Sequence, residues 1–174
     1  MSSRLLDLAL ALTLLLVALT TTGHGARLDH LEALHGPAAD TLYEYVEPPS
    51  NEELRRLWIA HYSALLGVDS ALALQVSKAE NISAVPDAWS HNGCCVGVMQ
   101  IHVRHHYGKY ADTCDGNDLL TIRDNVCYGV AILRDYLAKC QGGVECALAR
   151  YNGATTDSAR LAYLDLVDRH GTAY

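Results

Sequence analysis

The sequence predicts a mainly α fold, formally α+β because one small β-hairpin interrupts the helices. Apolar residues recur at spacings of three and four in separate stretches between Ser50 and Val167, which is helical periodicity. The stretch from Asn81 to Ile101 lacks that period and contains Asn92-Gly93, a pair that tolerates the positive φ angles of a two-residue hairpin turn. Glycines stand where periodic stretches end, at Gly67 and at Gly142-Gly143.

A chain of 174 residues, 50% of them hydrophobic, is long enough for one sizeable core and short for two. The net charge of −7 and the lack of any Lys/Arg run argue against nucleic acid, whose binding rests on a basic face, and against docking to an anionic membrane surface. Six cysteines, Cys94, Cys95, Cys114, Cys127, Cys140 and Cys146, all fall in the second half. Beside an export signal they predict up to three disulfides, with Cys140 and Cys146 the easiest local pair.

The start of the chain has the layout expected of such a signal. Residues 1–25 carry Arg4, an apolar run from Leu8 to Leu19 and then small residues, the layout of a secretory signal peptide or a retained N-terminal anchor. The protein is therefore expected to be exported, periplasmic or extracellular, and to meet a membrane only through an uncleaved N-terminal segment. Residues 26–49 read as a linker or arm closed by Pro48-Pro49. The folded domain is expected over 50–174.

Its first helix opens on a capping box, Ser50 with Glu53, and places Leu54, Leu57, Trp58, His61 and Leu65 on one face, with His61 a core or boundary residue. The second starts near Asp69 and carries Leu72, Val76 and Ala79 on one face, with Glu80 at the edge of that face. A single acid in an apolar setting has its pKa raised by desolvation until it can hold a proton near neutral pH. Glu80 is the candidate for such an acid. Gly97, just before Met99 and Gln100, is expected to let the backbone approach Glu80 or a ligand. A helix from Asp124 to Cys140 is apolar on more than one face and predicted to be buried, a short helix spans Val144 to Tyr151, and the last, from Ser158 to Val167, presents Leu161, Leu164 and Val167. His102, His105 and His106 are close enough in sequence for a metal site, but no nearby carboxylate or cysteine completes it and Cys94-Cys95 is a poor zinc knuckle, so no metal is expected.

Four segments in this order resemble the soluble lytic transglycosylase (SLT) family of the lysozyme-like superfamily. They are the helix Ala73-Leu74-Gln75-Val76-Ser77-Lys78-Ala79-Glu80, the block Gly97-Val98-Met99-Gln100-Ile101, the run Asn125-Val126-Cys127-Tyr128-Gly129, and Ala147-Leu148-Ala149-Arg150-Tyr151-Asn152-Gly153. One position departs from the pattern. The family has Ser after the acid, where this chain has Asn81.

The resemblance implies a lysozyme-like domain with the hairpin beside the active site. It also implies cleavage of the β-1,4 bond between N-acetylmuramic acid and N-acetylglucosamine in peptidoglycan, leaving a 1,6-anhydro sugar. Glu80 would be the catalytic acid and then base, and no cofactor is required. Asn81, Met99, Gln100, Tyr151 and Asn152 would line the sugar groove, with Asn81 holding the N-acetyl group and Tyr151 reaching Glu80; Asn125 and Gly129 would be structural. The partner is then the peptidoglycan glycan strand; no oligomeric state is implied. Trp89, Tyr107 and Tyr110 are further candidates for stacking on sugar rings. Two rivals share the fold. A goose-type lysozyme would need a further carboxylate to direct water, and Asp87 and Asp112 are the only acids between Glu80 and Cys114. A silent peptidoglycan-binding protein would keep the groove and lose turnover.

Overall fold

The structure, a computed structural model, describes residues 47–171. The expected leader, residues 1–25, and nearly all of the arm lie outside the described residues. Among the described residues no helix is long and apolar enough to cross a membrane.

Helix α1 (Asn51–Leu66) starts on the expected capping box, with Ser50 accepting from the Glu53 N–H and Glu53 accepting from the Ser50 N–H, and ends at Gly67, whose φ of 69° is left-handed. Its buried face matches the expected one in part: Leu54 and Trp58 pack against the core. Arg55, Ile59, Tyr62 and Ser63 are buried, whereas Leu57 and Leu65 are 59% and 62% exposed. His61 is exposed as well and packs edge-on against the rings of Trp58 and Tyr62. The apolar count placed the face off centre because a charged residue, Arg55, occupies the middle of the core side.

Arg55 is held there by what it caps. Its Nη1 donates to the Asn81 carbonyl at 2.6 Å, its Nη2 donates to the Ile82 carbonyl at 3.3 Å, and it pairs with Glu52. Those carbonyls lie at the C-terminal end of helix α2 (Ser70–Glu80), where backbone acceptors lack helical partners and a cation is favourable. Asp69 caps the other end by accepting from the Leu72 N–H at 2.7 Å. Buried Ala73, Val76 and Ser77 turn α2 toward the core.

The small sheet follows. Strand β1 (Cys95–Val96) pairs antiparallel with β2 (Ile101–His102), Cys95 facing His102 and Val96 facing Ile101, and Trp89 bridges to Val96. The hairpin therefore closes over Gly97 to Gln100. Asn92-Gly93 is a turn, as expected, but it leads from the Trp89 bridge into β1 and does not join the two paired strands.

Short helices α3 (Val103–His106) and α4 (Ala111–Cys114) lead to the long central helix α5 (Ile122–Lys139), which is buried almost continuously from Ile122 to Leu133. Helix α6 (Val144–Asn152) packs beside it, and α7 (Asp157–Arg169) packs against α6 and α2. On α7 Val167 is buried and Leu164 packs against the core as expected, while Leu161 is 61% exposed and Tyr163 is buried in addition. Two disulfides are present. Cys114–Cys127 ties α4 to α5, a bridge whose loop length predicts about 3 kcal/mol of stabilisation, and Cys140–Cys146 closes the α5–α6 corner as expected. Cys94 and Cys95 remain free thiols.

The turn at Gly97 to Gln100 is pinned from four sides. The Val98 carbonyl accepts from Ser77 Oγ at 2.9 Å, the Met99 N–H donates to Asn125 Oδ1 at 2.8 Å, the Met99 carbonyl accepts from Tyr151 Oη at 2.9 Å, and the Gly97 carbonyl accepts from Asn81 Nδ2 at 3.3 Å. Buried backbone groups must be satisfied, and here helices α2, α5 and α6 satisfy them. Gly97, at φ 85°, lies against Asn125 rather than against Glu80: a Cβ there would sit 2.0 Å from Asn125 Nδ2. Gly97→Ala combines that overlap with a strained backbone and is expected to cost about 2 kcal/mol or more in urea unfolding; an unchanged midpoint would mean the turn is not fixed by Asn125.

Candidate active site

Glu80 is the last residue of α2, and its carboxyl faces a cavity of about 330 Å³ walled by the hairpin, α5 and α6. Gln100, Tyr151 and Asn152 line the same cavity, as do Cys94, Cys95, His102, His105 and Arg150. Burial raises the Glu80 pKa from its ordinary value to about 7, partly opposed by a hydrogen bond from Tyr163. Tyr163 Oη donates to Glu80 Oε1 at 2.5 Å across 83 residues of sequence. Burial and the neighbouring Glu80 in turn push the Tyr163 hydroxyl well above its usual range, so it remains a donor.

Tyr163 was not among the residues that the sequence pointed to. Tyr151 was expected to reach Glu80; its hydroxyl instead holds the Met99 carbonyl, while its ring still lines the cavity. Tyr163 sits between the expected apolar positions of its helix, and the leucine spacing drew attention to Leu161, which is exposed. A signal was available: in a chain with ten tyrosines and no phenylalanine, a tyrosine at heptad-like distance from the core residue Val167 is a ring with a hydroxyl to place.

The other expected groove residues divide. Gln100 faces the cavity at a left-handed φ of 46°, and its Nε2 donates to the carbonyls of Gly97 at 2.9 Å and Ala88 at 3.0 Å. What the side chain presents to a ligand is then its carbonyl oxygen. Asn152 is exposed on the cavity rim. Met99 is fully buried, packed where α5 has Gly129 in place of a side chain, and lies off the cavity wall. Asn81 also lies off that wall: its Nδ2 donates to Val85 at 2.8 Å and to Gly97, bracing the loop after α2. Asn125 is fully buried and donates to the carbonyls of Val96 and Leu119, the structural role expected.

Of the candidate stacking rings, Tyr110 is buried, with its hydroxyl on Asp135 at 2.8 Å. Trp89 and Tyr107 are exposed but line a separate cleft with Val96 and Leu119. Among the described residues no group of three His, Cys, Asp or Glu has the geometry to hold a metal. Burial lowers the His106 pKa to about 4 and keeps that ring neutral.

A small hairpin laid against a bundle of helices, with one desolvated acid at a helix end opening into a groove, is the layout of a lysozyme-like domain. The description "Transglycosylase SLT domain" matches residues 59–162, and the chain belongs to that family, whose substrate is peptidoglycan. The match runs from the middle of α1 to the residue before Tyr163. No curated protein matches the chain.

Proposed function

We propose that the protein is an exported lytic transglycosylase that cleaves the β-1,4 bond between N-acetylmuramic acid and N-acetylglucosamine in peptidoglycan without water. The observation that carries this reading is that Glu80 is the one carboxylate lining the cavity among the described residues, with its pKa raised to about 7. Asp87 and Asp112 are exposed and do not line the cavity, so the second carboxylate that a water-directing mechanism requires is not supplied there.

In the proposed cycle the protonated Glu80 gives its proton to the glycosidic oxygen as the bond to the anomeric carbon breaks. The substrate's own N-acetyl group stabilises the charge left on that carbon. Glu80, now a carboxylate, takes the proton from the muramoyl O6 hydroxyl as that oxygen attacks the same carbon, which closes the 1,6-anhydro ring and restores the acid. Tyr163 fixes the carboxyl by occupying Oε1 and leaves Oε2 for the sugar oxygens. The Gln100 carbonyl accepts from sugar hydroxyl or amide groups, and Tyr151 and Asn152 form the opposite wall. Asn81 acts in this scheme by holding the loop and the Gly97 carbonyl.

Mass spectrometry of products released from purified peptidoglycan tests the proposal. Anhydro-muropeptides are expected; reducing-end products would favour the lysozyme chemistry, and binding without products would favour a silent binding protein. Tyr163→Phe gives a finer check. The Tyr163 hydrogen bond lowers the Glu80 pKa, so its removal is expected to move the alkaline limb of the pH–rate profile upward while turnover falls by about tenfold. A limb that stays in place would show that Tyr163 does not act on Glu80.

A further inference from the structure

Two thiols stand on the wall of the Glu80 cavity that neither the fold nor the proposed chemistry uses. Consecutive side chains of a regular strand point to opposite faces, yet Cys94 and Cys95 both line this cavity. They do so because Cys94 sits in the bend before β1, which begins at Cys95. Ser90 Oγ lies 3.5 Å from Cys94 Sγ. The other four cysteines are joined in bridges, so this chain folds where dithiols are oxidised, and these two are the free pair among the described residues.

We propose that Cys94 and Cys95 form a redox-modification site, a vicinal dithiol that a disulfide-class oxidant closes into a bridge, and that closure slows the enzyme by disturbing the support of Gln100. The first half stands on the thiols alone; the second rests on the function proposed above.

The chemistry balances as thiol–disulfide exchange. The Cys94 thiolate attacks one sulfur of the oxidant, breaking its S–S bond and releasing the first thiolate. Cys95 then loses its proton and attacks the Cys94 sulfur of the mixed disulfide, releasing the second. The dithiol is oxidised by two electrons, the oxidant is reduced to two thiols, and they take up the two protons. The environment sets the order of attack. Hydrogen bonds from Cys95 and Ser90 hold the Cys94 thiol below its ordinary pKa, whereas burial pushes Cys95 up to about 12.

Closure strains the strand. Cα atoms across a trans peptide are about 3.8 Å apart, short of the roughly 4.4–6.8 Å usual for a disulfide; the two structural bridges have Cα separations of 5.6 and 5.8 Å. Strained bridges are the readily reduced, regulatory ones. The strain has a route to the site. The Cys95 N–H donates to Ser90 Oγ at 3.1 Å, the Ser90 N–H donates to the Cys95 carbonyl at 2.9 Å, and Ala88, two residues before Ser90, supplies one of the carbonyls that hold Gln100.

The test treats the full chain, with both structural bridges intact, with oxidised glutathione, then alkylates free thiols and maps peptides by mass. The peptide holding both residues is expected to lose two hydrogens and resist alkylation, to reopen at a reductant level that spares Cys114–Cys127 and Cys140–Cys146, and to accompany a reversible fall in turnover of about tenfold. Cys95→Ser is expected to stop at a glutathione adduct on Cys94, and Cys94→Ser, which cannot close a bridge, should lose the difference in turnover between oxidised and reduced states. A lasting adduct, a dimer linked through Cys94, or two thiols that stay alkylatable in the unaltered chain would overturn the site. A bridge with unchanged turnover would overturn its regulatory role. The mass readout needs no turnover, so a chain inactive in both states would count against the transglycosylase reading while the bridge is still decided.

Discussion

Glu80→Gln is expected to lower turnover by about three orders of magnitude and to give a protein that is more stable than the parent at alkaline pH. Both effects have one cause. Burial lifts the Glu80 pKa from the 4.5 of an ordinary glutamate to about 7 in the folded chain. Between these values the folded state binds more protons than the unfolded state, so stability falls as pH rises through that window and levels off above it. The accumulated penalty is on the order of 3 kcal/mol. Gln keeps the shape and an acceptor for the Tyr163 hydroxyl but never ionises. Unfolding midpoints of the two proteins should therefore agree within error near about pH 4 and separate in favour of Gln by about pH 8. The same ionisation should bring the parent's kcat/KM down above about pH 7, since the acid step needs the proton. Equal stability at alkaline pH would mean that Glu80 is solvated and its carboxylate unperturbed, and the proposed acid would lose its physical basis.

Much of this site was legible before the structure because its signals are local. The capping box at Ser50, the Asp69 cap and the Gly67 stop are read from a few adjacent residues, and all three stand where the sequence puts them. Glu80 and Gln100 were reachable through segments whose order resembles the family. The resemblance did not say which residues of those segments face a ligand. The backbone of the Gly97–Gln100 turn has so many groups to satisfy that Ser77, Asn81, Asn125 and Tyr151 are engaged in satisfying them, and Met99 is drawn inward onto Gly129. A motif that looks like a row of sugar contacts is largely a set of braces for one turn. The faces of α1 and α7 were located only in part for a related reason. Counting leucines locates an apolar stripe, but Arg55 and Tyr163 are buried for the partners they reach far away in sequence, and no helical period encodes a partner 26 or 83 residues distant.

Arg55→Met should be the most damaging substitution that does not touch the cavity, lowering stability by about 3 kcal/mol, a large fraction of what a domain of this size holds. Met keeps most of the volume and fills the core, so the loss isolates what the guanidinium does. It leaves the Ile82 carbonyl without its donor and the Asn81 carbonyl with the longer bond from the Ala84 N–H at 3.3 Å, and Glu52 with Arg56 as its remaining partner at 2.8 Å. Arg55 Nε has no partner of its own among the described residues, so burying this side chain already carries a cost that the cap must outweigh. Lys should rescue little, because a single ammonium cannot span two carbonyls and a carboxylate as the planar fork does. Function should follow stability only in part. At a temperature where Arg55→Met is still folded, the frayed end of α2 should let Glu80 drift from Tyr163, and turnover should fall severalfold with the alkaline limb of its pH profile displaced. Adding Glu52→Gln should cost less in the Arg55→Met background than in the parent, since the ion pair is by then already lost. Urea midpoints of the four proteins measure this directly. A Met variant as stable as the parent would show that the end of α2 needs no cation, and the placement of Glu80 would then have to rest on Tyr163 and the pinned turn alone.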